Sequence, residues 1–203
     1  AREAAVRLCR ETHYDGVGTV ELLVEPVGGR IVFLEVNPRL QVEHGVTELV
    51  TGLDLVAMQL GIAGGLHLGE LMGEVAIRGA AIECRINAED PDDGFRPSPG
   101  RITRFEMPER PGARVDTHCE AGCVVPPFYD SLVANVMTVA PDRSGAIRLM
   151  LSVLDAIEVE GIATTKRFQR DVLAGSDFEE GRVWTSWVDE LMRGQVVKGA
   201  PVG

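Results

Sequence analysis

The sequence predicts an α+β fold. Three observations support this class: apolar residues recur at helical spacing in some segments, β-rich runs bounded by glycine and proline turns fill others, and 45% of the 203 residues are hydrophobic. A chain of this length and composition can bury a substantial core. The order of its helical and β-rich segments is that of an α+β architecture.

The first part of the chain reads as a helix, a hairpin and a second helix. Apolar residues lie at helical spacing over residues 2–13 and again over residues 46–63. Between them, Thr19 to Glu25 and Ile31 to Val36 are β-rich runs joined by the five residues 26–30. We therefore expect an antiparallel hairpin in the middle of this part.

The character of the sequence changes after residue 75. Further strands are expected at residues 75–87, 101–106, 114–118 and 132–140, and helices at residues 144–158, 165–174 and 184–193. A glycine-bearing stretch near residues 64–74 is the predicted domain boundary. The predicted domains are therefore residues 1–70 and 75–193, followed by a tail at 194–203.

The charge balance excludes some classes of function. With 20 Lys and Arg against 31 Asp and Glu, the net charge of −11 argues against general binding to nucleic acid or to anionic membranes. No apolar run approaches the roughly 20 residues of a membrane span. The chain opens on Ala1-Arg2-Glu3, without Met or an apolar signal core, so we expect a cytoplasmic protein and a piece of something longer.

The hairpin predicts a pair of carboxylates. If Glu25 pairs with Ile31, partner numbers sum to 56 and Glu21 faces Glu35. Side chains directly opposite lie about 4.5–5.5 Å apart at Cβ and, when both are acidic, repel unless a cation lies between them. Asn37 points to the same side as Glu35, so the three offer hard oxygen ligands for Mg²⁺ or Mn²⁺. The other interpretation, that both carboxylates solvate an exposed sheet face, stays open on spacing alone.

The loop after the hairpin is dense in reactive side chains. Arg39 can bind a planar oxyanion such as bicarbonate or phosphate with two hydrogen bonds, and Gln41 can add another. Glu43 can remove a proton, and His44 can orient the loop. The structural alternative is that Arg39 and Glu43 form a surface ion pair.

These residues resemble a known family. Residues 35–44, read Glu-Val-Asn-Pro-Arg-Leu-Gln-Val-Glu-His, followed by Gly45-Val46-Thr47-Glu48, closely resemble the signature of biotin carboxylases, which are ATP-grasp enzymes. Residues 81–91, Phe95 with Pro97-Ser98-Pro99-Gly100, and residues 126–132 resemble successive motifs of the biotin carboxylase C-terminal domain. The resemblance implies that residues 1–70 are the C-terminal portion of an ATP-grasp domain and that residues 75–193 are the C-terminal domain.

The resemblance also implies roles for single residues. Glu21, Glu35 and Asn37 would bind Mg²⁺ or Mn²⁺ against the phosphates of ATP. Bicarbonate would be held by Arg39, Gln41 and the backbone at Val42, and Glu43 would be the base that deprotonates it to form carboxyphosphate. Arg85 would stabilise the enolate-like ureido oxygen of biotin, an electrostatic role suited to a fixed guanidinium. From the residues alone, Arg85 pairs with Glu83 or Glu89.

The implied partners are a biotin carboxyl carrier protein or domain, a carboxyltransferase and a second copy in a homodimer. The family's glycine-rich lid and nucleotide-binding lysines are not among these residues, so the chain is expected to be inactive alone. Asn135 also stands where the family usually has Lys, which removes a cation. The final carboxyl acceptor is not encoded here.

Two other readings remain. Carbamoyl-phosphate synthetase also uses bicarbonate and has a similar Glu-x-Asn-x-Arg string, although residues 41–44 disfavour it. The chain could instead be a non-catalytic assembly or dimerisation module of a carboxylase.

Cys119 and Cys123 are expected to be reduced thiols and not a metal site.

Overall fold

The computed structural model describes residues 1–25 and 28–194. The chain divides into two compact units, the first comprising Ala1–Ile77 and the second beginning at Arg78. The predicted tail lies outside the described residues, apart from residue 194.

The first unit contains the hairpin and four helices. Its strands β1 and β2 form a two-stranded antiparallel sheet. The elements in chain order are α1 (Arg2–Glu11), β1 (Thr19–Val24), β2 (Ile31–Asn37), α2 (His44–Thr51), α3 (Leu55–Ala63) and α4 (Leu68–Leu71).

The helix predicted over residues 46–63 is two helices, so that prediction was wrong. Gly52 ends α2 with φ 73° and ψ 13°, a left-handed conformation that glycine adopts without a Cβ penalty. Asp54 then caps α3 by accepting a hydrogen bond of 2.8 Å from the Ala57 amide.

Among the described residues no single helix is long and apolar enough to cross a membrane. Helices α2 and α3 together have the length and apolar composition of a span, but they are bent by 101°.

The second unit contains the remaining strands and helices. Its strands are β3 (Ala80–Asn87), β4 (Glu89–Asp90), β5 (Arg96–Pro97), β6 (Gly100–Arg101), β7 (Arg104–Glu106), β8 (Ala113–Thr117), β9 (Val124–Val125), β10 (Leu132–Ala140) and β11 (Glu158–Glu160). Its helices are α5 (Arg143–Ala156), α6 (Lys166–Leu173), α7 (Ser176–Glu179) and α8 (Trp187–Met192), with a 3₁₀ turn at Pro91–Asp93. The single strand expected over residues 101–106 is thus two, β6 and β7, which pair with different partners.

A three-stranded antiparallel sheet with the order β3-β10-β8 forms the centre of this unit. One of its faces packs on α5, where Ile86, Val136 and Leu154 are all fully buried. Because side chains alternate along a strand, Glu83 and Arg85 lie on the other face of β3. Helices and antiparallel sheets in this arrangement confirm the α+β prediction.

The four cysteines are free thiols. Cys84 lies in the core beneath α5, and its burial, with a smaller contribution from the Glu83 carboxylate, raises its pKa to about 12. Cys84 is therefore protonated at neutral pH and acts as a small apolar side chain.

Candidate active site

The hairpin places Glu21 of β1 directly opposite Glu35 of β2, which confirms the predicted pairing. The register predicted at the turn was wrong, because Ile31 pairs with Val24 and not with Glu25. The pairing shifts by one residue between Glu21 and Leu22, so Leu34 is an extra residue on β2. This β-bulge restores the register that brings the two carboxylates together.

Asn37 joins the two carboxylates. Its amide nitrogen donates to Oε1 of Glu21 at 2.8 Å and to Oε1 of Glu35 at 3.0 Å. The Gln41 amide nitrogen also donates to Oε1 of Glu21, at 3.5 Å. Two carboxylate oxygens from neighbouring strands therefore converge on one point, at the end of β2 from which residues 38–43 continue.

This arrangement fits a hard divalent cation. Turning the Asn37 side chain over exchanges its nitrogen for its oxygen and would present three oxygen ligands to a common centre. Within residues 1–25 and 28–194, no group of three or more His, Cys, Asp and Glu side chains is arranged to hold a metal ion. Two carboxylates and an amide are a set of hard oxygen ligands that suits Mg²⁺, which usually keeps waters and shares its shell with substrate phosphates.

The next loop presents its charged side chains to solvent. Arg39 is exposed; its guanidinium donates to the Leu40 carbonyl at 3.1 Å and forms no ion pair within the described part of the chain. The predicted structural alternative, an Arg39–Glu43 ion pair, is therefore not present. Val42 and Glu43 are also exposed, and Glu43 stands at the N-cap of α2.

His44 anchors this loop to the helices behind it. Its Nδ1 lies 2.9 Å from the Gln41 carbonyl oxygen, and its Nε2 lies 3.9 Å from Oε2 of Glu48. Glu48 is buried, and its other oxygen accepts from the Leu55 amide at 2.7 Å. The sequence motif contains Glu48, but its role in joining the loop to α3 is visible only in the structure.

Arg85 belongs to the second unit, where it projects from β3. Its Nε donates to Oε1 of Glu83 at 3.1 Å; the Arg85 side chain is 46% exposed and that of Glu83 only 9%. The ion pair expected from the residues is therefore made with Glu83, whereas Glu89 bonds to Asn87 and Ser131. Asn135 is buried on β10 directly opposite Arg85.

Comparisons with known families match both parts of the chain. The model of the biotin carboxylase C-terminal domain matches residues 83–190. The model of the carbamoyl-phosphate synthase L chain ATP binding domain matches residues 1–71.

Curated relatives and solved structures agree with these matches. A biotin carboxylase from Nostoc sp. is 44% identical over 189 residues, 93% of this chain and 42% of the relative. The biotin carboxylase of Pseudomonas aeruginosa is 47% identical over 187 residues, 92% of this chain and 41% of the relative.

The biotin carboxylase domain dimer of Hydrogenobacter thermophilus 2-oxoglutarate carboxylase, in complex with MgADP, ADP and bicarbonate, superposes with a TM-score of 0.88. It is 38% identical, and the match covers 92% of this chain and 41% of that one. The chain therefore spans 41 to 42% of the length of these three proteins.

Proposed function

Because this chain belongs to the biotin carboxylase family, we propose that it supplies the metal- and bicarbonate-binding half of an enzyme that carboxylates biotin with ATP and bicarbonate. The observation that carries the proposal is the convergence of Glu21 and Glu35 on Asn37, immediately before the loop with Arg39 and Glu43. Like charges directly opposite destabilise a sheet, and a divalent cation between the two carboxylates would relieve that repulsion.

Glu21, Glu35 and Asn37 are the residues that would hold Mg²⁺ or Mn²⁺. When bound, the cation neutralises charge on the transferred phosphoryl group of ATP. The bulge at Leu34 is the feature of this chain that keeps the two carboxylates side by side.

Bicarbonate is bound by the loop that follows. The exposed guanidinium of Arg39 can form two parallel hydrogen bonds with the planar anion. Gln41 adds a side-chain amide, and Val42 adds a backbone group. Glu43 takes the bicarbonate proton, so that the resulting oxygen anion attacks the γ-phosphorus of ATP, with ADP as the leaving group. The anchoring of Gln41 by His44 limits movement of the loop during this step.

Arg85 acts on biotin. Carboxyphosphate breaks down to CO₂ and phosphate, the phosphate takes the proton from the ureido nitrogen, and that nitrogen attacks CO₂. Negative charge moves to the ureido oxygen as the proton leaves, and the Arg85 guanidinium stabilises it there. Glu83 holds the guanidinium through the hydrogen bond at Nε.

The hairpin supports a role within a larger domain. Its apolar side chains are exposed: Phe33 is 56% accessible, Leu34 52% and Val24 62%. A two-stranded sheet with such faces is marginally stable unless further strands or helices cover it. We place the nucleotide-binding part of the ATP-grasp fold over these residues.

The same family supplies the proposed partners. Biotin is presented on a carrier protein or domain, a carboxyltransferase receives the carboxyl group, and two copies of the biotin carboxylase domain associate. The cytoplasmic location expected from the sequence stays a prediction.

The match of residues 1–71 to a carbamoyl-phosphate synthase domain keeps that enzyme as a second candidate. The match of residues 83–190 to the biotin carboxylase C-terminal domain favours biotin as the acceptor.

Joining this chain to the N-terminal portion of the Pseudomonas aeruginosa biotin carboxylase tests the proposal. This reconstituted enzyme is expected to hydrolyse ATP in a bicarbonate-dependent way and to transfer ¹⁴C from bicarbonate to biotin. The chain by itself is expected to do neither, since phosphoryl transfer needs all the charges positioned together. A folded reconstituted enzyme that makes carbamoyl phosphate from ammonia and leaves biotin unlabelled would contradict the assignment.

A further inference from the structure

We propose that Thr165 and Gln169, at the start of α6, are positioning residues for Arg85. They hold the backbone of β3 at the point where the Arg85 side chain leaves it. The inference rests on the proposed function, in which the Arg85 guanidinium meets the ureido oxygen of biotin.

The Thr165 hydroxyl takes the place of a neighbouring strand. Strand β3 is at the edge of its sheet, so its outward backbone groups pair with no other strand in the described part of the chain. Thr165 Oγ1 donates to the Arg85 carbonyl at 3.0 Å and accepts from the Asn87 amide at 3.0 Å. The Thr165 backbone amide also donates to the Asn87 carbonyl, at 3.0 Å. One residue thus satisfies three backbone groups on either side of Ile86.

Gln169, one helical turn further along, strengthens the same contact. Its amide nitrogen donates to the Arg85 carbonyl at 2.5 Å and to Thr165 Oγ1 at 3.3 Å. The Arg85 carbonyl therefore accepts two side-chain donors, one from the N-cap of α6 and one from its first turn. Thr165 is 4% exposed, so water cannot readily replace its hydroxyl.

These contacts matter because they fix the backbone from which the Arg85 side chain projects. Its side chain is 46% exposed, and its Nε is directed by Glu83. The direction of its Cα–Cβ bond is set by the backbone that Thr165 and Gln169 hold. A guanidinium that must meet developing charge acts best when its supporting residues fix it within a fraction of an ångström.

The chemistry of the contact requires a hydroxyl at residue 165. The oxygen donates one hydrogen bond, to the Arg85 carbonyl, while it accepts from the Asn87 amide and from Gln169, which serine can also do and valine cannot. Valine nevertheless has nearly the shape of threonine, so Thr165→Val removes all three hydrogen bonds of the hydroxyl, including the one from Gln169, with little change in packing volume. Thr164→Val is the matched control, since it makes the same change one residue earlier, and Thr164 does not bond to β3.

The experiment compares these variants in the reconstituted enzyme. Thr165→Val is expected to lower the biotin-dependent kcat/KM on the order of tenfold to a hundredfold, the range that misplacement of a catalytic group produces. Bicarbonate-dependent ATP hydrolysis measured without biotin is expected to stay within about twofold of the parent, because Glu43 and the metal ligands are unchanged. Thr165→Ser is expected to restore most of the activity, and Thr164→Val to match the parent.

Three results would overturn the inference. The first is an unchanged biotin-dependent kcat/KM in Thr165→Val, and the second is a parallel fall of both activities, which would indicate a merely structural role. The third is a Thr165→Ser variant as impaired as the valine variant. If Thr165→Val does not fold, Gln169→Met must show the same selective loss, and its failure to do so overturns the inference equally. A parent enzyme without bicarbonate-dependent ATP hydrolysis would instead overturn the proposed function.

Discussion

The Glu43→Gln variant of the reconstituted enzyme is expected to fold normally and to lose at least about a hundredfold of its biotin carboxylation rate, since general base catalysis contributes roughly 10²- to 10⁴-fold. Glutamine keeps the size and hydrogen-bonding shape of the side chain but cannot take the bicarbonate proton. Carboxyphosphate formation is the step affected, so bicarbonate-dependent ATP hydrolysis must fall in parallel. Both rates can be measured by ADP release and by ¹⁴C incorporation into biotin.

The control for this variant is Glu11→Gln, which removes an exposed carboxylate from the end of α1 in the same unit. It is expected to leave both rates unchanged. If Glu43→Gln and Glu11→Gln are equally active, Glu43 is not the base. If the parent enzyme assembles normally but has no activity, the result favours the interpretation that the chain is a non-catalytic module.

The double variant Glu21→Gln, Glu35→Gln is expected to have the largest effect. A bound divalent cation contributes several kcal/mol of charge stabilisation in phosphoryl transfer, so its loss lowers the rate on the order of a thousandfold. The hairpin itself is expected to persist or to gain stability, because the change removes repulsion between two opposed carboxylates. The rate of ATP hydrolysis as a function of Mg²⁺ concentration measures the effect.

Glu25→Gln provides the matched control. Glu25 follows β1 and pairs with Arg30 at 2.5 Å, so this variant removes a carboxylate from the same hairpin without touching the proposed site. It is expected to keep the activity and the Mg²⁺ dependence of the parent. A double variant that retains the parent's Mg²⁺ dependence would show that Glu21 and Glu35 do not hold the metal.

Much of the fold follows from local patterns in the sequence. The helical spacing that predicts residues 144–158 corresponds to α5, and the β-rich runs around Glu21 and Glu35 correspond to β1 and β2. The break between α2 and α3 was missed because apolar spacing continues across it, although Gly52 and Asp54 carry the stop and start signals. The short strands β4, β5, β6 and β9 have too few residues to show any alternation.

The candidate site could be predicted from the sequence only in part. Glu21 was predicted to face Glu35 from a pair between Glu25 and Ile31 that the structure does not have, and the prediction is right only because the bulge at Leu34 shifts the register by one residue. That bulge depends on packing that spacing does not encode. The contacts of Thr165 with Arg85 could not be predicted, because the two residues are 80 positions apart and the hydroxyl bonds to backbone. Sequence patterns report periodic burial and local capping, whereas contacts of this kind arise from the tertiary fold.

Anomalous diffraction from crystals of the reconstituted enzyme, grown with Mn²⁺ and a non-hydrolysable ATP analogue, tests the shared metal site most directly. We expect a manganese peak within about 2.5 Å of a carboxylate oxygen of Glu21 and of Glu35, with the Asn37 side-chain oxygen facing it. Manganese bound to the nucleotide but out of reach of both carboxylates would contradict the proposed site.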